Sequence, residues 1–257
     1  MLKITEPIRR ILLMLGIFYV SFTLLLFIFQ RDLLYFPTPK SDHPYQSQIF
    51  HNEGESIDVI VLNKEQGRAI LFFGGNGESV VYNASDYLNN FTNHAIYLVN
   101  YRRYGGSSGY PEEQALYSDA LHIYDTIKNK HDSISVIGRS LGTGIATYVA
   151  SKRDVEKMVL ITPYDSIENL AKSKYPIFPV SLLLQDKYDS LSRVKNIQSQ
   201  TLILLAEHDN VVPLKHSVNL IKAFPASVVT AKIIKGTGHN SISNKLEFHA
   251  LLGSFMY

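Results

Sequence analysis

Apolar residues run without a single charge from Ile11 to Phe29 (ILLMLGIFYVSFTLLLFIF). As a helix rising ~1.5 Å per residue, this stretch is about 28 Å long, close to the ~30 Å hydrocarbon core of a bilayer. It predicts a transmembrane anchor. A cleaved leader, the competing reading, has a shorter apolar region that ends in small residues. Here the first alanine of the chain is Ala69, and the run meets Gln30, Arg31 and Asp32 directly. A buried core helix is the remaining alternative.

Beyond the anchor the pattern changes period. Asp32 to Gln48 (DLLYFPTPKSDHPYQSQ) is rich in Pro, Ser and aromatic residues and reads as an extended linker lying on the domain. Short, continuous, largely β-branched runs follow at Ile57–Leu62, Ala69–Phe73, Ala95–Val99, Ile134–Ile137, Met158–Ile161, Leu202–Ala206 and Val228–Ile234. Runs of this kind suit strands buried on both faces of a sheet. Helical patterns lie between them. Pro111 to Lys130 opens on Pro and two Glu and sets Ala115, Leu116, Ala120, Ile123 and Ile127 along one face. Leu141–Lys152 is a second helix, and a third begins at Pro213. Strands alternating with helices predict an α/β fold with a mostly parallel central sheet flanked by helices, to which the first two runs add an antiparallel edge. The expected organisation is a cytoplasmic N-terminus over 1–10, the anchor over 11–29, a linker over 30–48 and an α/β domain over 49–257.

Composition narrows the function classes. With 257 residues the chain suits one well-buried domain after the anchor. A net charge of +2, with 19% charged residues and no block of like charge, gives no reason to expect a nucleic acid partner. The absence of cysteine removes thiol catalysis, disulfides and thiolate metal sites. Lys3, Arg9 and Arg10 precede the apolar run, against Arg31 and the more distant Lys40 after it. The positive-inside rule therefore puts the N-terminus in the cytoplasm and the domain on the opposite side, periplasmic, extracellular or lumenal.

In open α/β sheets, ligands bind beyond the carboxyl ends of the strands, and the unusual residues of this chain fall there. Ser135–Ala146 (SVIGRSLGTGIA) carries Gly138-Arg139-Ser140-Leu141-Gly142 between a strand and a helix. The pattern G-x-S-x-G alone arises by chance in about one chain in ten of this length, but the strand-turn-helix setting makes Ser140 a candidate nucleophile. The plain alternative is an N-capping serine in a glycine-rich loop. A serine nucleophile needs a histidine base and a carboxylate to orient it, here expected in the order Ser, Asp, His. After Leu202–Ala206 come Glu207, His208 and Asp209, of which Asp209 lies further into the turn and is the better acid. His208, flanked by two acids, reads as a loop residue and not a metal ligand. After Val228–Ile234 comes Lys235-Gly-Thr-Gly-His239, which places a histidine in a mobile glycine turn. The histidines at 43, 51, 94, 122, 131, 208, 216 and 249 have no comparable setting and are expected on the surface or in linkers. No cofactor or metal is expected. The loop after Ala69–Phe73, Gly74-Gly75-Asn76-Gly77, fits neither nucleotide-binding glycine signature. Its other reading is a cradle for a catalytic oxyanion.

Taken together, GRSLGTGIA, RDLLYFP after the anchor, NYRRYGGSSGYPEE at 100–113, TPYDSIENLAKSKYPIFPVSLLLQDKYDS at 162–190, HDNVVP at 208–213 and GTGHN at 236–240 resemble the α/β-hydrolase superfamily, and within it the membrane-anchored Bem46-like group. The resemblance runs from about Phe29 to the C-terminus. It implies an α/β-hydrolase fold, with Ser140 as nucleophile, His239 as general base, Asp209 as its orienting acid, and the N–H groups of Leu141 and Asn76 as the oxyanion hole. Two positions depart from the group's usual pattern: Gly74 stands where it carries histidine, and Asn100 where it carries aspartate.

The activity implied is hydrolysis of carboxylic or acyl thioesters, on small-molecule or lipid substrates. A catalytically silent membrane-bound scaffold, favoured by Gly74, and an acyltransferase with the same triad are the rival readings. The cap region, about 162–198, is short. Its apolar stretch YPIFPVSLLL is expected to pack against the sheet, the alternative being an acyl-binding surface.

Overall fold

A computed structural model of the chain describes residues 5–257; Lys3, used above for orientation, lies outside the described residues. Helix α1 runs unbroken over Glu6–Leu34, about 43 Å at ~1.5 Å per residue. Strand β1 (Gln46–Asn52) and β2 (Glu55–Leu62) form a hairpin, followed by β3 (Arg68–Phe73), helix α2 (Ala84–Asn90) and β4 (His94–Val99). Then come α3 (Glu113–Ile127), β5 (Ser133–Arg139), α4 (Leu141–Lys152) and β6 (Lys157–Ile161). Three short helices, α5 (Ile167–Lys174), α6 (Val180–Leu183) and α7 (Leu191–Val194), lead to β7 (Gln200–Ala206), α8 (Leu214–Ala223), β8 (Val229–Ile234) and α9 (Leu246–Met256).

The strands form one eight-stranded sheet in the order β1-β2-β4-β3-β5-β6-β7-β8. From β4 to β8 every pairing is parallel; β2 is antiparallel to both β1 and β4. The antiparallel edge is therefore made differently from the sequence expectation. The run at 57–62 does belong to it, but its outer partner is Gln46–Asn52, while 69–73 sits in the parallel centre between β4 and β5. QSQIFHN escaped the pattern because an edge strand buries little: only Phe50 of β1 is buried.

Central strands bury both faces, and the period of two sorts their side chains between two cores. Leu71, Phe73, Val136, Leu160 and Ile203 face one core, with α3, α4 and α8 on it. Ile70, Phe72, Ile137, Val159 and Leu204 face the other, covered by α2 and α9. At ~25 cal/mol per Å² of apolar area, these two layers supply the main driving force for folding. They also fix the strand ends in register: Phe73 lies beside Gly138, and Gly138 beside Leu160. The turns after β3, β5, β7 and β8 accordingly open onto one edge of the sheet.

Candidate active site

Ser140 sits between β5 and α4 with φ 48° and ψ −116°, a region that costs a non-glycine residue about 1–3 kcal/mol. The surroundings impose it. The Ser140 N–H donates to the Ile161 carbonyl at 2.9 Å, and α4 is pressed so closely on β3 that a Cβ on Gly142 would run into the Phe73 carbonyl. The hydroxyl is thereby turned away from the strand axis and toward the turn after β8.

There His239 is waiting. Its Nε2 lies 2.9 Å from Ser140 Oγ and its Nδ1 lies 2.8 Å from Asp209 Oδ2. His239 and Asp209 are almost wholly buried, their side chains 6% and 3% exposed. The second Asp209 oxygen accepts from the Val211 and Val212 N–H groups at 3.0 and 2.7 Å. Every oxygen of the carboxylate is thus held, which fixes the imidazole plane and favours the tautomer with its proton on Nδ1. Glu207 is engaged elsewhere: it accepts from the Gly236 N–H at 2.8 Å and lies beside the exposed His208.

Leu141 is the first residue of α4, where backbone N–H groups have no intrahelical acceptor. Asn76 lies across the same opening, and both residues line one cavity with Ser140. The Asn76 side chain is held at both its polar atoms: Nδ2 donates to the Leu34 carbonyl at 2.6 Å, and Oδ1 accepts from the Phe36 N–H and the Tyr104 hydroxyl at 2.9 and 2.7 Å.

The loop carrying Asn76 is braced by residues that the sequence reasoning missed. The Tyr101 hydroxyl donates to the Gly74 carbonyl at 2.6 Å, and Glu78 accepts from the Gly75 N–H at 2.5 Å. Glu78 also accepts from Arg139, the residue before Ser140, at 3.1 Å and from Asn83 at 2.8 Å. Arg139 lies within the G-x-S-x-G turn, but nothing in the sequence pairs it with the distant Glu78; the adjacency of the β3 and β5 ends does.

Three histidines expected on the surface or in linkers are instead buried: His94, His131 and His216. His131 and the Tyr97 hydroxyl are 2.8 Å apart. His216 sits 2.9 Å from Asp165 through Nδ1 and 3.2 Å from Ser173 through Nε2. His131 and His216 owe their burial to partners from distant elements, which their sequence neighbours do not reveal. The Asp165, His216 and Ser173 group repeats the same residue types, but Ser173 lies in the last turn of α5, exposed to solvent.

The apolar cap residues also depart from expectation. Tyr175 to Leu184 do not pack on the sheet: Ile177 and Leu182 are 71% and 83% exposed, and Phe178 stacks on Tyr19 of α1 and lies tilted against Phe22, with ring centroids 5.4 and 5.7 Å apart. The sheet face was already filled by α4 and α8, so the cap found its apolar partner in α1.

No family model matches the chain. An uncharacterized protein of Mycobacterium tuberculosis is 31% identical over 150 residues, covering 57% of this chain and 53% of that protein, so the match spans about half the relative's length. A protein of Acanthamoeba polyphaga mimivirus, provisionally named an alpha/beta hydrolase, is 27% identical over 216 residues, covering 78% of this chain and 80% of its own. Among solved structures, an esterase of Pyrococcus furiosus superposes with a TM-score of 0.67 at 14% identity, over 86% of this chain and 98% of that one.

Proposed function

We propose, on the premise that the chain has the α/β-hydrolase fold, that it is a membrane-anchored serine hydrolase of carboxylic or acyl thioesters. The observation that carries this reading is the Asp209, His239 and Ser140 relay, with contacts of 2.8 and 2.9 Å, at the carboxyl edge of the sheet.

In this reading His239 Nε2 takes the Ser140 proton as Oγ attacks the ester carbonyl. The oxyanion that forms is held by the Leu141 and Asn76 N–H groups, with the amino end of α4 adding its positive potential. As the carbon–oxygen or carbon–sulfur bond breaks, His239 passes the proton to the leaving alkoxide or thiolate, and the acyl group stays on Ser140. Water, deprotonated by His239, attacks the acyl-enzyme; Ser140 recovers its proton and the carboxylic acid departs. Asp209 keeps its charge throughout, accepting the Nδ1 proton bond and stabilising the imidazolium. The Gly74 departure leaves these steps intact, because both oxyanion donors are backbone groups.

Anchoring rests on α1, one helix long and apolar enough to cross a membrane. The helix passes without a break from the apolar run into residues bonded to the domain, and Tyr19, within that run, donates to the Ile177 carbonyl at 2.8 Å. Cleavage as a leader would strip those contacts from the cap, which supports an anchor.

The test is a fluorophosphonate probe applied to wild type beside Ser140→Ala. Wild type is expected to label covalently, and the variant to lose both labelling and about 10³-fold or more of its ester turnover. A folded wild type that takes no label would leave a silent scaffold as the better description.

A further inference from the structure

The cavity that holds Ser140 is not bounded by the α/β domain alone. It has a volume of about 350 Å³, toward the lower end of the ~300–1,000 Å³ range of ligand pockets. One side is α1, through Thr23, Leu26, Phe27 and Leu34; the opposite side is the cap, through Leu170 and Leu183. The polar side chains of the α1 wall are spent on protein groups. Thr23 donates to the Tyr19 carbonyl at 2.7 Å, and Gln30 donates to the Phe27 and Leu183 carbonyls while accepting from the Gln185 N–H. Among the described residues, Lys174 is the only charged one along its lining. Such a cavity offers a ligand dispersion contacts and almost no hydrogen bonds, the chemistry that holds a hydrocarbon chain.

Its position relative to a bilayer follows from α1. The cap is fastened along the helix from Phe178, stacked on Tyr19 and tilted against Phe22, to Arg31, which bonds Asp186 at 3.1 Å, and Tyr35, whose hydroxyl is 2.8 Å from that of Tyr188. Those attachments cover 16 residues of rise, about 24 Å. Tyr19 to Phe29 also belong to the charge-free run that needs hydrocarbon around it. With that run immersed, the part of the cap beside it, residues 177–183, is immersed too, and the exposed Ile177 and Leu182 meet lipid tails. The gap between α1 and the cap then opens into the leaflet.

We propose that the C-terminal half of α1 is one wall of an acyl-chain subsite, and that the ester consumed at Ser140 enters sideways from the bilayer with its chain between α1 and the cap. This deepens the serine hydrolase reading and rests on it. The helix is tied to the reacting centre itself, since Asn76, which lines the cavity together with Ser140, bonds both the Leu34 carbonyl and the Phe36 N–H through its side chain.

The experiment uses the full chain in phospholipid vesicles and a long-chain alkyl fluorophosphonate bearing a photoreactive diazirine at the chain end. Reaction at Ser140 fixes one end of the probe, and irradiation reports where the other end lies. The expected result is a Ser140 adduct cross-linked to peptides of α1 between Thr23 and Leu34 or of the cap between Leu170 and Leu184. A Ser140 adduct whose cross-links fall only on other segments overturns the subsite and leaves the hydrolase reading standing. Absence of any adduct in folded protein overturns both. As a second measurement, Leu26→Trp narrows the gap. It is expected to lower turnover of a long-chain ester about tenfold or more relative to that of a short-chain ester. Equal loss on both substrates would remove α1 from the subsite.

Discussion

Gly74 occupies the place where the resemblance leads one to expect histidine, and its neighbours show why glycine suits this chain. A Cβ there would stand 2.8 Å from Val80 Cγ1, inside van der Waals contact. Val80 is buried against Ala84 and Phe72 in the second core, so it cannot simply swing away. The hydrogen bonds that hold the loop come instead from Tyr101 and Glu78. Restoring the histidine alone is therefore expected to destabilise the protein by about 1–3 kcal/mol through overpacking. Gly74→His should lower the thermal midpoint, and adding Val80→Ala should recover part of the loss. A Gly74→His protein as stable as wild type would show that the loop accommodates a side chain after all. The substitution was visible in the sequence; the valine that fills its place was not, because it lies on the far side of a turn.

The cap is a set of short elements whose stability must come from attachment, since helices of four to eight residues do not persist alone. Helix α5 is secured at two points. Asp165 accepts from His216 Nδ1 and from Asn219, and His216 Nε2 accepts from Ser173 near the helix's other end. At its amino end the Ser166 hydroxyl caps the Asn169 N–H at 2.9 Å. Glu168, paired with Lys172 and Lys187, is drawn down to about 2 by the Lys172 bond first, burial opposing. His216→Ala leaves the buried Asp165 short of a donor, a loss of about 1–3 kcal/mol. Hydrogen exchange is expected to rise across Ile167–Lys174 while the amides of β5 and β6 stay protected; unchanged exchange in α5 would show that α8 does not hold the cap. The central strands were legible in sequence because burial on both faces leaves an apolar run that no other element mimics at that length. The positions of Ser140 and His239 at strand ends were legible because a tight strand-to-helix turn and a glycine-flanked loop leave local marks. The cap was not: an apolar segment announces that it needs a partner without saying which, and the choice of α1 over the sheet is made only when the chain has folded.

At the scale of the whole molecule, one buried side chain gives folding stability a pH dependence near neutrality. His94 begins β4, packed between the rings of Phe91 and Tyr257, and burial first, then the charge of Arg68, lowers its pKa below the ordinary 6.5. The unfolded chain therefore binds a proton that the native state refuses. Stability is fully present above 6.5 and is lost as pH falls from there toward the folded value. His94→Phe keeps the ring and removes the proton, so its denaturation midpoint is expected to fall less than that of wild type over this window. Parallel curves would mean that His94 titrates alike in both states.

The attachment of α1 to the cap has a consequence for how rate is to be expressed. An enzyme that takes its ester through a slot facing lipid tails works in two dimensions. Its velocity follows the mole fraction of ester in the leaflet rather than moles per litre of suspension. Inert phospholipid added to vesicles at fixed total ester would slow it as a competitor would, without occupying the site. Extraction into excess detergent would do the same, and a truncation that removed the helix would yield a catalyst blind to such surface dilution, with a different specificity from the protein it was cut from.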